Sequence, residues 1–200
     1  MKSILIALMF IASQFAIATN PIHEEDKKSH AVDTKSSTLE WKGSKVTGDN
    51  HVGDLQLKQG TIVTDDGNIM SVEIEIDMTT INDKDLTDPE WNAKLVGHLK
   101  SDDFFSVDKY PTASFKSTGT SVKDGKTHVT GNLTIKGQSH PVTILATFKN
   151  EDGILTVSGK FKFDRSKYDV RYGSGSFFED LGDKLIYDDI EMKFVIKTSK

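Results

Sequence analysis

Between Ile69 and Ile81 the chain alternates with a period of two. Val72, Ile74, Ile76 and Met78 fall on one side, and Glu73, Glu75 and Asp77 on the other. That period belongs to a β-strand with one dry face and one wet face, as in an antiparallel sheet. The same pattern recurs along the chain. Leu39, Trp41 and Gly43 share a face, as do Leu55 and Leu57, with Gly60 to Val63 extending that second strand. Ala113 and Phe115 follow, then Leu133 and Ile135, then Val142, Ile144 and Ala146. Leu155, Val157, Gly159, Phe161 and Phe163 form a long inward face, and Ile190, Met192, Phe194 and Ile196 form the closing strand.

Turn residues punctuate these runs. Asp65-Asp66-Gly67-Asn68, Asp124-Gly125 and Asp152-Gly153 mark hairpins, because Gly, Asn and Asp tolerate the backbone that tight turns need. Gly137 and Gln138 break a further run. Pro141, with no N–H to give to a ladder, is expected at the first residue of the strand after them. The period changes once. Thr87 or Asp88 can cap a helix, Pro89 suits its first turn, and Trp91, Leu95, Val96 and Leu99 recur at helical spacing. This predicts a helix over 89–100. Phe104 and Phe105 are then expected against the apolar interior or over one of its ends. The fold expected is all-β with one substantial helix, an antiparallel β-barrel with a dry interior. Closure hides the edges that a sandwich would leave open. Inward Gly43 and Gly159 would leave room inside, although bends explain glycines in strands equally well.

The first 18 residues differ from the rest. Lys2, the apolar run Ile4 to Ala12, and Ala16-Ile17-Ala18 make up the charged start, core and cleavage site of a secretory signal peptide. The apolar run is too short to span a bilayer. Residues 19–36 are polar and without periodicity, which predicts a flexible leader, and His23 and His30 read as solvated. The folded domain is expected over 37–200. With no cysteine, the domain rests on its core alone and has neither a lipoprotein acceptor nor a thiolate metal site. A bacterial periplasmic or secreted location fits that usage. A net charge of −5 leaves no basic face for nucleic acid. No stable membrane insertion is expected, and a homodimer is left open.

Several segments resemble the YceI-like family. These are Trp41-x-Gly-x-Lys45, His51-x-Gly53, the run from His98 through Tyr110-Pro111 to Phe115, Gly131 to Gly137 followed by Pro141-Val-Thr143, and Phe163-Asp-Arg-Ser-Lys-Tyr168. The resemblance spans about residues 37–200. It implies an extended antiparallel, lipocalin-like β-barrel enclosing an apolar tunnel that holds a long isoprenoid chain, such as a quinone-type or polyprenyl phosphate lipid, as ligand and no cofactor. The tunnel-lining residues expected on that basis are Trp41, Val72, Ile74, Ile76, Met78, Leu95, Leu99, Phe104, Phe115, Leu133, Ile135, Phe161, Phe163, Met192 and Phe194. Such side chains equally well fill a small barrel by packing one another. Each methylene taken from water contributes roughly 0.8 kcal/mol, so about ten could support micromolar binding.

For the polar head the candidates are His51, His98, Arg165, Tyr168 and Arg171. Arg165 suits a phosphate or carbonyl, and an internal salt bridge equally well. No zinc-protease, phosphate-loop or dinucleotide motif is present. The acid pairs Asp65-Asp66, Asp102-Asp103 and Asp188-Asp189 read as turn residues. The six histidines are scattered, so no metal site is expected. A periplasmic carrier or reservoir is the leading function. An enzyme using His51, His98 or Arg165, or a stress-related interaction protein, are the alternatives.

Overall fold

Four hairpins turn on two-residue loops whose residues both have positive φ. These are Asp66-Gly67 (45° and 75°), Asp124-Gly125 (52° and 70°), Lys136-Gly137 (49° and 72°) and Asp152-Gly153 (52° and 84°). Such turns match the right-handed twist of the strands they join. A computed structural model describes residues 27–200. The expected signal peptide, and residues 19–26 of the expected leader, lie outside the described residues.

The strands are β1 (Lys28–Ala31), β2 (Thr38–Ser44), β3 (Asn50–Asp65), β4 (Asn68–Asp83), β5 (Thr112–Lys123), β6 (Lys126–Ile135), β7 (Gln138–Glu151), β8 (Ile154–Asp164) and β9 (Asp189–Lys197). All pairings are antiparallel. Strands β3-β2-β9-β8-β7-β6-β5-β4 run side by side, and β4 pairs again with β3 to close an eight-stranded barrel. The ninth strand, β1, pairs with Thr61 to Thr64 of β3, beyond the Asn50 to Leu55 stretch that β2 occupies. It therefore prolongs the wall in line with β2.

That strand corrects the expectation of a leader through residue 36. Lys28–Ala31 is polar and largely exposed. It adds by backbone pairing and one side-chain contact, His30 Nε2 lying 2.9 Å from Thr64 Oγ1, so no dry face announces it and His30 is half-buried rather than solvated. The turn after β6 is also corrected, since its tip is Lys136-Gly137 and β7 begins at Gln138. Pro141 is the fourth residue of β7, opposite Asn132. Counting from the Ile135–Gln138 turn pair puts Asn132–Pro141 at a non-hydrogen-bonded position, with the Pro141 nitrogen turned away from β6. On that far side β8 pairs only from Leu145 onward, so the missing N–H breaks no bond.

Helix α1 (Pro89–Lys100) falls where the period change predicts it. The Asp88 carboxylate accepts from Glu90 N (2.9 Å) and Trp91 N (3.1 Å), satisfying donors that the first turn leaves free. Leu99 is buried, Leu95 half-buried, and Trp91 stands in solvent at 61% exposure. The helix, residues 101–106 and the 165–188 segment gather over one end of the barrel, where Arg165 packs near the Phe104 ring and Tyr172 packs on Phe104.

The other half of the barrel is solid. Three inward glycines each receive a large neighbouring side chain. A Cβ on Gly60 would stand 2.7 Å from Ile74 Cδ1, on Gly131 2.6 Å from Phe115 Cζ, and on Gly159 2.9 Å from Phe194 Cζ. With Ile62, Val72, Val129, Ile144, Leu155 and Val157 buried beside them, this half is filled by its own side chains. The space that Gly159 was expected to leave is filled by Phe194.

Candidate functional site

The helix-capped half of the barrel holds a cavity of about 140 Å³, part of a cleft with about 1090 Å³ of empty space once its mouth is included. Its walls come from Leu39, Trp41, Leu55, Ile76, Met78, Ile81, Ala113, Leu133, Ile135, Phe161, Phe163, Ile190 and Met192 on the strands. Leu95, Leu99, Phe104, Phe105 and Ile186 close it from above. Polar side chains touch it at the β2–β3 hairpin, through Ser44, Lys45, Asp49, Asn50 and His51, and at Arg165. Asp49 and Asn50 are exposed, so the hairpin is the mouth. An apolar cavity of about this size stays dry where its walls offer a water fewer than the two to four polar partners it needs.

Most of the expected lining residues are therefore gathered at one cavity. Trp41, Ile76, Met78, Leu95, Leu99, Phe104, Leu133, Ile135, Phe161, Phe163 and Met192 all face it. Val72, Ile74, Phe115 and Phe194 do not. They lie in the other half, where Ile74, Phe115 and Phe194 fill the space over Gly60, Gly131 and Gly159. Sequence reasoning omitted Leu39, Leu55, Ile81, Phe105, Ala113, Ile186 and Ile190 from the lining. Leu39, Leu55 and Ala113 carry the same alternating signal as their neighbours. Ile186 lies outside any strand and carries none. Gly43 lines the cavity, and a Cβ there would meet only Ile190 Cδ1 at 3.7 Å. The wall also holds one buried donor, Trp41 Nε1, with no partner among the described residues.

The head-group candidates separate. Arg165 is 1% exposed. Its Nε donates to Tyr187 O, its Nη1 to Val170 O and Tyr172 O, and its Nη2 to Ile186 O, at 2.9 to 3.3 Å. Nη2 also lies 3.3 Å from Asp188 Oδ1. Burial lowers its pKa from the ordinary value, and Asp188 and Asp164 oppose that shift. With its donors committed, Arg165 ties the 165–188 segment together and has no free fork for a ligand. This corrects its assignment to a head group.

Tyr168 is also corrected. It is 1% exposed, packs edge-on against Phe163 and His140, and does not face the cavity. Burial pushes its hydroxyl pKa up to about 12, with Asp164 adding to the shift. His98 lies against the rings of Phe104 and Tyr172 with Nε2 3.2 Å from Asp103, away from the cavity. Arg171 pairs with Asp169 on the surface. Only His51 stands at the mouth.

His51 has two acidic neighbours. Its Nδ1 is 3.0 Å from Asp85 Oδ2 and 3.8 Å from Asp83 Oδ2. Burial, with Asp85 alongside, raises the Asp83 pKa against the opposing Leu86 N–H and His51. At Asp85 burial acts in the same direction but is outweighed by the Val52 N–H and His51, leaving that carboxyl lowered.

Comparison with known proteins agrees with the fold. A UPF0312 protein of Pseudomonas aeruginosa is 49% identical over 49 residues, 24% of this chain and 26% of that protein. One from Pseudomonas putida is 35% identical over 116 residues, 56% of this chain and 57% of the relative. The chain thus aligns with between a quarter and three fifths of the length of these relatives. Among solved structures, Burkholderia cenocepacia BcnA superimposes with a TM-score of 0.62 at 24% identity, covering 84% of this chain and 99% of that one. A polyisoprenoid-binding domain from Saccharophagus degradans, implicated in plant cell wall breakdown, gives 0.64 at 15% identity, covering 85% and 97%. The YceI-like domain model matches residues 30–198, and with the closed barrel and its capping helix this places the chain in the YceI-like family.

Proposed function

We propose that this protein binds the apolar chain of an isoprenoid or similar long-chain lipid in the capped half of its barrel, tail inward. The observation that carries this reading is the cavity itself, walled by apolar side chains and polar only at the β2–β3 hairpin, the Trp41 Nε1 donor and the already committed Arg165. The polyisoprenoid-binding domain with the same fold lends it support. Because the far half is packed solid, a chain enters and leaves by one mouth, and its polar end remains near Lys45, Asn50 and His51. The enclosed 140 Å³ resembles a cavity of about 150 Å³ that takes up benzene. It accommodates a few carbons of the tail, and the remainder lies in the open cleft. The role is binding, as the apolar lining favours, and among the described residues no nucleophile, base and orienting group converge on the cavity. The sequence of residues 1–18 supports export, and so a carrier or reservoir outside the cytoplasm.

Ala113, 3% exposed and facing the cavity, provides the test. Ala113→Phe and Leu133→Trp place new bulk in the pocket. Displacement of a fluorescent fatty-chain probe by geranylgeraniol should weaken at least tenfold in both variants and remain unchanged in the exposed-surface variant Trp91→Phe. Wild-type displacement by two folded, plugged variants would overturn the proposal.

A further inference from the structure

At the mouth, β3 and β4 are held close by Gly53, which lies opposite Asp83. A Cβ on Gly53 would stand 1.8 Å from Asn82 O, so the strands approach as only glycine allows. Lys84 N donates to Val52 O at 2.8 Å and fixes the chain just past the end of β4. This brings Asp83 and Asp85 beside His51.

Each carboxylate is anchored by one oxygen only. Asp83 Oδ1 accepts from Leu86 N (2.8 Å) and Asn92 Nδ2 (3.3 Å), and Asp85 Oδ1 accepts from Val52 N (2.6 Å). The second oxygen of each faces His51 Nδ1, at 3.8 Å from Asp83 and 3.0 Å from Asp85. Asp83 Oδ2 has no hydrogen-bond partner among the described residues, although the Asp83 side chain is wholly buried. A buried carboxylate oxygen without a donor is costly. The adjoining Lys84 does not relieve it, since its Nζ is directed to Glu40 (3.2 Å) and Asp54 (3.8 Å).

We propose that His51, Asp83 and Asp85 form a binding site for a divalent transition metal at the mouth of the cavity. The three residues can each offer one ligand atom, with all of these within 4.8 Å of one another. Metal–ligand distances of about 2.0–2.2 Å put the ligand atoms of a tetrahedral ion about 3.3–3.6 Å apart. The His51 separations of 3.8 and 3.0 Å lie close to that, and the two carboxylate atoms, within 4.8 Å of each other, close by about 1.5 Å at most. The anchored Oδ1 atoms serve as the outer contacts that orient ligating carboxylates. One imidazole and two carboxylates suit Zn²⁺ or a similar first-row ion over Mg²⁺ or Ca²⁺, which favour all-oxygen shells. Three protein ligands leave at least one coordination position for water or another donor.

The test uses tag-free full-length protein stripped with chelator, dialysed and titrated with Zn²⁺ by calorimetry, with bound metal counted by elemental mass spectrometry. One Zn²⁺ per chain with micromolar or tighter affinity is expected, and Mg²⁺ at the same concentrations should produce no heat. His51→Gln and Asp85→Asn alter partly exposed side chains that the core does not need, and each should weaken binding at least tenfold. His98→Gln, at the separate His98–Asp103 pair, should leave it unchanged. Absence of stoichiometric uptake by the wild type would overturn the proposal. Full-affinity uptake by folded His51→Gln would overturn it as well.

Discussion

Phe194 lies directly across the ladder from Gly159, and its ring fills the place a Cβ on that glycine would take. The added carbon would stand 2.9 Å from Phe194 Cζ and 2.4 Å from Leu145 O. The ring can rotate away, but the carbonyl belongs to the neighbouring strand. Gly159→Ala should therefore destabilise the barrel by about 1–3 kcal/mol. Phe194→Ala should cost about 3–5 kcal/mol by emptying the packed half. Denaturant melts of the two variants provide the comparison.

Arg165 separates a structural staple from a ligand contact. Arg165→Met removes the donor that serves four carbonyls and leaves Asp188 without its cation. Loss of one member of such a buried set costs about 3–5 kcal/mol. The expected result is a large fall in stability, with lipid affinity unchanged in the fraction that remains folded. A stable variant that had lost only lipid binding would contradict the staple.

Tyr168 makes stability fall at alkaline pH. Its hydroxyl has no partner among the described residues, and its pKa is pushed from 10.0 up to about 12. Between those values the unfolded chain gives up this proton while the folded chain keeps it. The unfolded state then binds fewer protons, so stability declines as pH rises, by up to about 1.4 kcal/mol per pH unit. Tyr168→Phe should remove that component. Near neutral pH it should change stability by less than about 1 kcal/mol, because the hydroxyl it deletes makes no hydrogen bond. Urea melts at pH 8 and pH 11 measure both effects.

The two tryptophans report on different places. Trp41 is 8% exposed in the cavity wall, whereas Trp91 is 61% exposed on α1. Trp91→Phe should leave a blue-shifted emission that responds to an apolar ligand, while Trp41→Phe should leave a red-shifted emission that does not.

The barrel was legible because each dry-faced strand advertises itself by alternation and each hairpin by its turn residues. Helix α1 was equally plain from Asp88, Pro89 and the spacing of Leu95 and Leu99. The hollow half was not legible. Ile74 and Phe194 alternate just as Met78 and Met192 do, but they lie across the ladder from Gly60 and Gly159 and fill the space over them. That depends on register, which the sequence does not display. Arg165 reads alike as an anion ligand or a staple until the carbonyls of Val170, Tyr172, Ile186 and Tyr187 converge on it. The cluster of His51, Asp83 and Asp85 exists only because β3 and β4 pair, so histidines considered along the chain look scattered.

The central claim is that the capped cavity holds a lipid tail. Native mass spectrometry of mature protein purified without detergent, followed by organic extraction, tests it most directly. The account predicts an added mass of one long-chain lipid per chain, an isoprenoid on extraction, that is lost from Ala113→Phe. A clean apo mass, with no uptake of added quinone or polyprenol by the wild type, would contradict it.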